Sequence, residues 1–374
     1  MSPDDHISRK QPGLDGPASP VPALPAMLAR GLARLYKFGL DRRSARFDAG
    51  RGTVEFDRPV VSVGNLSVGG TGKTPMVARI IELLLESGRH PCIAMRGYKS
   101  SRATGGLSDE AEEYRRRFAQ REWQPPIVAQ PNRAEGLIEL FGTEVGEKVD
   151  SIVLDDGFQH RQIARQLDIV LLDATRNPYA DALVPAGFLR ELPGALARAD
   201  VVVITHAEAA PEAEVNRLRE LVTRDHGCLL VGVARHRWSS LTVLNPAGDE
   251  RPETVEWLRG KRVMALCAIG NPGAFERQVR EACGPNAPSA GAILLGDHDP
   301  YEPATVARVL SQARERRAEV IVTTEKDWSK LVKVRPEVWP CPVARPRLEI
   351  AIEDEAALFR RLMECLDGHS RASE

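Results

Sequence analysis

The residues best placed to do chemistry are Ser67-Val68-Gly69-Gly70-Thr71-Gly72-Lys73-Thr74. They follow the apolar run Val60-Val61-Ser62-Val63 and lead into a stretch of helical periodicity. A strand, a glycine-rich turn and a helix in that order form a phosphate cradle. The glycines let the backbone aim its N–H groups at phosphate oxygens, and the positive end of the helix adds to the field. Lys73 can reach the β- and γ-phosphates, and the Thr74 hydroxyl can bind Mg²⁺. Ser67 replaces the first Gly of the G-x-x-x-x-G-K-[ST] pattern, while Gly69, Gly70 and Gly72 keep the loop glycine-rich. Ser67 to Thr74 are therefore read as an ATP-binding loop. A turn that only solved a packing problem would need neither the Lys nor the Thr.

A second group stands at Ser151-Ile152-Val153-Leu154-Asp155-Asp156, an apolar strand ending in two carboxylates. An acid at such a strand end holds the nucleotide's Mg²⁺, directly or through water. Both acids fall at the carboxyl edge of an open sheet, where such folds place ligands. The sequence leaves open which of the two touches the metal.

These groups need a scaffold. From residue 59 onward strand-like and helix-like segments alternate. Strands are expected near 59–64, 91–95, 126–130, 151–155, 168–172, 201–205, 262–268, 291–296 and 319–323. Helices are expected near 73–87, 109–119, 132–141, 213–224, 273–283, 303–316 and 354–366. Such alternation predicts an α/β fold: a P-loop NTPase-type parallel sheet with helices on both faces, plus a second, smaller α/β domain. Residues 1–25, rich in Pro, Gly, Ser and Asp, are expected to be disordered. Residues 51–228 form the nucleotide-binding domain in this division, and 229–374 the smaller domain closing the cleft. In 26–50, Met27, Leu28, Gly31, Leu32, Leu35 and Phe38 recur at helical spacing with Arg30, Arg34 and Lys37 between them and Arg42, Arg43 and Arg46 after. This N-terminal amphipathic helix can lie on an anionic membrane surface or pack on its own protein.

Composition excludes several classes. A net charge of −1 over 374 residues gives no global pull on nucleic acid. Cysteines 92, 228, 267, 283, 341 and 365 are scattered without a CxxC pair, which reads as reduced thiols rather than a disulfide framework or zinc site. No transmembrane helix or secretory signal is expected.

After the two acids the chain continues Gly157-Phe158-Gln159-His160. That run, Gly64 to Pro75, Arg96-Gly97-Tyr98, Val184-Pro185-Ala186-Gly187-Phe188-Leu189-Arg190-Glu191, Ala199-Asp200, Ile269-Gly270-Asn271-Pro272, Asp297-His298 and Thr324-Glu325-Lys326-Asp327 occur in an order that resembles the tetraacyldisaccharide 4'-kinases. The resemblance spans roughly residues 26 to 340. It implies ATP- and Mg²⁺-dependent phosphorylation of the 4' hydroxyl of tetraacyldisaccharide 1-phosphate. It implies a lipid disaccharide substrate, a peripheral position on the cytoplasmic face of the inner membrane, and the membrane reading of residues 26–40. No obligate protein partner is inferred.

The resemblance also assigns roles. The family's base, an Asp in a Gly-Asp-Glu-Pro-like motif, maps to Asp109 in Ser108-Asp109-Glu110-Ala111, where Asp109 can equally cap the helix it begins. Its partner His maps to His298. Lys73 serves catalysis. Thr74, Asp155, Asp156 and Glu191 are metal candidates, with Glu191 alternatively a surface acid paired to Arg190. Gln159 and His160 fall near substrate or in a packed supporting position. Arg96 contacts a phosphate or holds the loop with Asp109. Glu325-Lys326-Asp327 serves nucleotide binding or starts a helix with ordinary capping charges. Two other readings compete. One is a P-loop ATPase or GTPase switch or metallochaperone, although a guanine-reading Asn-Lys-x-Asp is missing and Val68 stands where deviant switch ATPases carry Lys. The other is a kinase for a soluble sugar or nucleoside.

Overall fold

The computed structural model describes residues 21, 24–97, 109–227, 230–270, 272–296 and 299–372. The expected disorder of residues 1–25 falls largely outside them. Among the described residues, twelve strands form one sheet. In chain order the elements are α1 (Ala26–Asp48), β1 (Val60–Asn65), α2 (Lys73–Glu86), β2 (Pro91–Met95), α3 (Asp109–Phe118), β3 (Ile127–Ala129), α4 (Arg133–Phe141), α5 (Glu144–Glu147), β4 (Ser151–Asp155), β5 (Leu167–Asp173), β6 (Val201–Thr205) and α6 (Glu212–His226). Then follow β7 (Leu230–Leu244), β8 (Glu250–Glu253), β9 (Val263–Cys267), α7 (Pro272–Cys283), β10 (Ser289–Leu294), α8 (Pro303–Glu315), β11 (Val320–Thr323), α9 (Glu325–Leu331), β12 (Val343–Ile352) and α10 (Glu355–Ala372).

The strand order is β10-β9-β11-β12-β7-β6-β5-β1-β4-β2-β3, with β8 added to β7. The first half, β6-β5-β1-β4-β2-β3, is parallel, and β10-β9-β11-β12 is parallel too. β1, β2, β4 and β6 are buried at every position, as near-continuous apolar runs must be when helices cover both faces.

The two halves meet in one long strand. Leu230–Val233 of β7 pair in parallel with Val201–Ile204 of β6, and Ala234–Leu244 then pair antiparallel with β12. Periodicity alone did not predict β7, β8, β12 or α9. β7 carries Arg235, His236, Arg237 and Trp238 in a row, so no two-residue apolar alternation stands out.

The chain ends of the fold cross back. α10 places Leu358, Leu362 and Leu366 in one core with Met76, Val77, Ile80, Ile81 and Leu84 of α2. Arg79 of α2 binds Glu355 of α10 with a forked pair at 2.7 and 2.8 Å. The smaller half has its own cores, around Trp328 and Trp339 on one face and Phe275 and Val279 on the other.

α1 runs eight residues beyond the expected 26–40, because nothing breaks it before Gly50, which takes φ +69° and ends it. Its inner face is small: Ala29 is buried, and Ala33 and Leu40 pack on Leu66, Phe158 and Leu189. Its outer face exposes Met27 (88%), Leu35 (67%) and Phe38 (63%). Among the described residues no helix is long and apolar enough to cross a membrane.

Candidate active site

The loop after β1 is held from three sides. Asn65 donates its side-chain N–H to the Thr71 hydroxyl at 2.6 Å. The Thr205 hydroxyl, at the end of β6, donates to the Thr71 carbonyl at 2.9 Å. Val68 donates its N–H to the Phe188 carbonyl at 2.8 Å, which binds the Val184–Leu189 segment to the loop. Gly72 takes φ +79° and caps α2 without any side-chain bond, so the first-turn N–H groups stay available to an anion. A Cβ at Gly72 would lie 2.8 Å from Nε2 of His236, so bulk as well as backbone angle demands glycine there.

The second group faces this loop because β4 pairs beside β1, with Asp155 opposite Val63. Asp155 is buried, and its Oδ2 accepts from the Tyr114 hydroxyl at 2.9 Å. Burial raises its carboxyl above the usual range, and Asp156 adds to this against the opposing Lys73 and Tyr114. Asp156 takes φ +55°, an uncommon backbone for a non-glycine residue. Its carboxylate receives Arg190 Nη1 at 2.7 and 2.8 Å and lies 3.8 Å from Lys73 Nζ. Burial alone would raise it, but Lys73 and Arg190 overcome that and hold it below the ordinary carboxylate value. Asp156 is therefore a fixed anion between two cations, beside the uncapped helix end.

The loop that follows is packed onto β1. Gln159 donates Nε2 to the Asn65 carbonyl at 2.7 Å. Phe158 is fully buried against Gly64, where a Cβ would lie 2.4 Å from the Phe158 Cβ. His160 is partly buried, and burial together with Arg133, Arg165, Arg43 and Arg96 pushes its imidazole down to about 4.

Lys73, Asp155, Asp156, Gln159 and the whole Ser67–Thr74 loop thus come together. Arg96 leaves the end of β2, exposed. Asp109 opens α3, but its side chain lies outside the described residues, as does His298. Glu191 is held by Arg198 at 2.8 Å, while its neighbour Arg190 turns to Asp156, so the Arg190–Glu191 pairing considered from sequence does not form. Thr324 and Asp327 are capping residues: Thr324 accepts the Asp327 N–H at 3.1 Å, and the Asp327 carboxylate accepts the Ala268 N–H at 3.2 Å.

Sequence reasoning passed over Tyr114, Arg133 and the group behind the loop. Arg133, 2% exposed at the start of α4, donates to the Asp156 carbonyl at 3.2 Å. His206 and His236 stack with centroids 4.5 Å apart, and their Nδ1 atoms lie 3.3 Å from Asp173 and 3.5 Å from Glu208. The signal available was position: Thr205-His206 ends the strand next to the loop's own neighbour.

A hard divalent cation suits the oxygen donors here. The Thr74 hydroxyl and the Asp155 and Asp156 carboxylates are the oxygen ligands Mg²⁺ prefers, and Asp156 is already ionised.

A glycine-rich loop on a parallel sheet, an uncapped helix end and a carboxylate clamped by Lys and Arg define a P-loop phosphotransferase. A family model described as Tetraacyldisaccharide-1-P 4'-kinase matches residues 25–367. A tetraacyldisaccharide 4'-kinase of Geobacter metallireducens is 35% identical over 309 residues, covering 79% of this chain and 86% of that one. One of Anaeromyxobacter dehalogenans is 35% identical over 331 residues, covering 84% and 83%. The crystal structure of LpxK from Aquifex aeolicus in complex with ATP superposes with a TM-score of 0.66 at 26% identity, covering 91% of this chain and 99% of that one. The chain belongs to the tetraacyldisaccharide 4'-kinase family. The matched region begins at α1 and ends within α10.

Proposed function

We infer that the protein transfers the γ-phosphoryl group of ATP to the 4' hydroxyl of tetraacyldisaccharide 1-phosphate. The observation that carries this is the Lys73–Asp156–Arg190 cluster beside the uncapped start of α2, within a family of such kinases. The acceptor oxygen attacks the γ-phosphorus in line as the bond to the β-γ bridging oxygen breaks, and ADP leaves. Asp109 takes the hydroxyl proton, and His298 orients it or relays that proton. Lys73 and the loop N–H groups hold the β- and γ-phosphate oxygens. Thr74, Asp155 and Asp156 would hold Mg²⁺, which supplies charge neutralisation on the phosphates. Glu191, already engaged by Arg198, would stand behind them. Gln159 and His160 contact the acceptor or the loop that seats it, and Arg96 a phosphate.

The acceptor is a lipid, and α1 supports an approach to it. The helix exposes Met27, Leu28, Leu35 and Phe38 beside Arg30, Arg34 and Lys37, while Tyr36 on the same helix donates to the Arg190 carbonyl at 3.2 Å. A peripheral seat on the anionic cytoplasmic face of the inner membrane follows from this reading. The experiment is transfer of labelled γ-phosphate from ATP to tetraacyldisaccharide 1-phosphate in detergent, comparing intact protein with Asp109→Ala. Labelled product from the first and a loss of about a hundredfold or more in the second is expected. Equal rates would remove Asp109 from the chemistry, and no product from the folded, ATP-binding protein would overturn the kinase reading.

A further inference from the structure

Behind the phosphate loop one side chain fills the place a Cβ of Gly72 would take. Nε2 and Cε1 of His236 lie 2.8 and 2.9 Å from that position, so a Gly72 Cα–H points at the imidazole. The bonds described above hold Val68 and Thr71. Gly72, where the loop turns into α2, rests on this ring. His236 is itself clamped. Its N–H donates to Glu208 Oε2 at 2.9 Å, its Nδ1 lies 3.5 Å from Glu208 Oε1, and its ring stacks on His206, which leans on Asp173. The side chain is 4% exposed, and burial, with His206 beside it, pushes the imidazole below its ordinary value against Glu208 and Asp173. A neutral ring with Nδ1 turned to a carboxylate carries its proton there and shows Gly72 a lone pair. Both ring nitrogens are shut off from solvent without a hydrogen-bond partner among the described residues, an arrangement that costs stability and calls for a reason.

We propose that His236 is a positioning residue for phosphoryl transfer: its ring seats Gly72, which aims Lys73 and the first-turn N–H groups of α2, and its main chain ties that aim to the smaller half. This rests on the kinase reading above and adds a residue through which the two halves are set against each other. His236 stands two residues past Ala234, where β7 changes partner from β6 to β12. Its carbonyl accepts from Gln278 Nε2 of α7 at 3.4 Å, and Arg277 of α7 donates to the Ala209 carbonyl, next to Glu208, at 3.4 Å. A shift of α7 therefore pulls on both sides of the Glu208–His236 clamp at once. The ring transmits that pull to Gly72, one residue before Lys73, which lies 3.8 Å from Asp156. Displacements of about 1 Å at such a group are felt in the rate long before they are felt in binding.

The test uses the full chain in neutral detergent with ATP and tetraacyldisaccharide 1-phosphate. In His236→Gln the amide reaches the place of Nε2 and keeps the seat under Gly72, whereas in His236→Asn it reaches only the place of Nδ1 and leaves the seat empty. His236→Asn is expected to lose about 30-fold in kcat while KM for ATP stays within about threefold, and His236→Gln to stay within about threefold of the parent in both. Gln278→Ala, which leaves the ring alone, is expected to lose about fivefold in kcat by itself and nothing further on top of His236→Asn. Equal losses of kcat in His236→Asn and His236→Gln would make the residue a packing group and overturn the proposal. So would a raised KM for ATP at unchanged kcat, which puts the ring on the nucleotide, or losses from Gln278→Ala and His236→Asn that simply multiply. Should His236→Asn fail to fold, a kcat of Gln278→Ala equal to the parent's overturns it. A parent that transfers nothing to the lipid brings down the kinase reading alone, and the same variants are then compared on hydrolysis of ATP.

Discussion

Gly64→Ala tests whether the Asp156 loop is positioned by contact with β1. A Cβ at residue 64 would fall 2.4 Å from the Phe158 Cβ and 2.7 Å from its backbone nitrogen. Ordinary contact begins at 3.4 Å, so the loop must retreat by about 1 Å. Phe158 is fully buried in a core with Leu66, Val170 and Leu189, and the strand cannot move away because β1 pairs with β4 and β5 on its two edges. The retreat falls on Asp156, which lies 2.7 Å from Arg190 and 3.8 Å from Lys73. A displacement of about 1 Å at a catalytic group costs on the order of 100-fold in rate, and overpacking costs ~1–3 kcal/mol of stability. Phosphoryl transfer and thermal melting of Gly64→Ala should therefore show kcat down by about two orders of magnitude and a melting point lower by several degrees. Gly194→Ala, where nothing lies within 4 Å of the added carbon, should change neither. A folded Gly64→Ala enzyme with kcat within about threefold of the parent would refute the argument that this contact sets the loop.

Asp156→Asn should lower kcat by about a thousandfold, measured in single turnover, because it removes the anion between Lys73 and Arg190. Tyr114→Phe should cost about 1–3 kcal/mol in denaturant unfolding, since it strands the buried Asp155 oxygen that now accepts at 2.9 Å. Glu113, on α3 where it packs against α9, is pushed up from 4.5 to about 7, chiefly by burial, with Glu110 and Glu325 adding and Arg117 and Lys326 opposing. The folded state therefore holds this proton more tightly than the unfolded chain. Its contribution to stability is full below pH 4.5 and lost as pH rises through 7. Glu113→Gln should raise the melting point at pH 8 relative to the parent and lose that advantage toward pH 4.5, and parallel pH profiles for the two proteins would contradict this. Leu35→Glu with Phe38→Glu should cut recovery on anionic vesicles while the melting point holds, since both side chains already face solvent.

The parts of the site that were legible in the sequence are those whose chemistry is local. The Val60–Val63 run, the glycines and Lys73-Thr74 predict a strand, a turn and the start of a helix within the fifteen residues 60–74, and β1 and the start of α2 lie there. Asp155 and Asp156 were legible because an apolar strand ends on them. What escaped were contacts made over distance. Arg133 reads as an ordinary surface arginine until α4 places it behind Asp156. Tyr114 reads as a helix core residue, and its hydroxyl gains a role only because α3 lies over Asp155. His236 lies within a charged run of β7, and only the pairing of β7 with β6 brings it beneath Gly72. The two halves of the sheet were read as successive domains, while the long pairing of β7 with β12 and the return of α10 depend on registers that periodicity does not encode.

The return of α10 has a bearing on how the polypeptide matures. Arg79 and Glu355 are 276 positions apart, yet they clasp the same helix layer over the nucleotide strand. While a ribosome is still making the middle of the chain, α2 has its loop and its strand but lacks its lid of Leu358, Leu362 and Leu366. Its apolar flank stays open to water and to other nascent chains for most of synthesis, the interval in which holding chaperones act. Contacts closed across so many residues also slow folding. The kinase half of this molecule is thus the first to be written and among the last to be sealed.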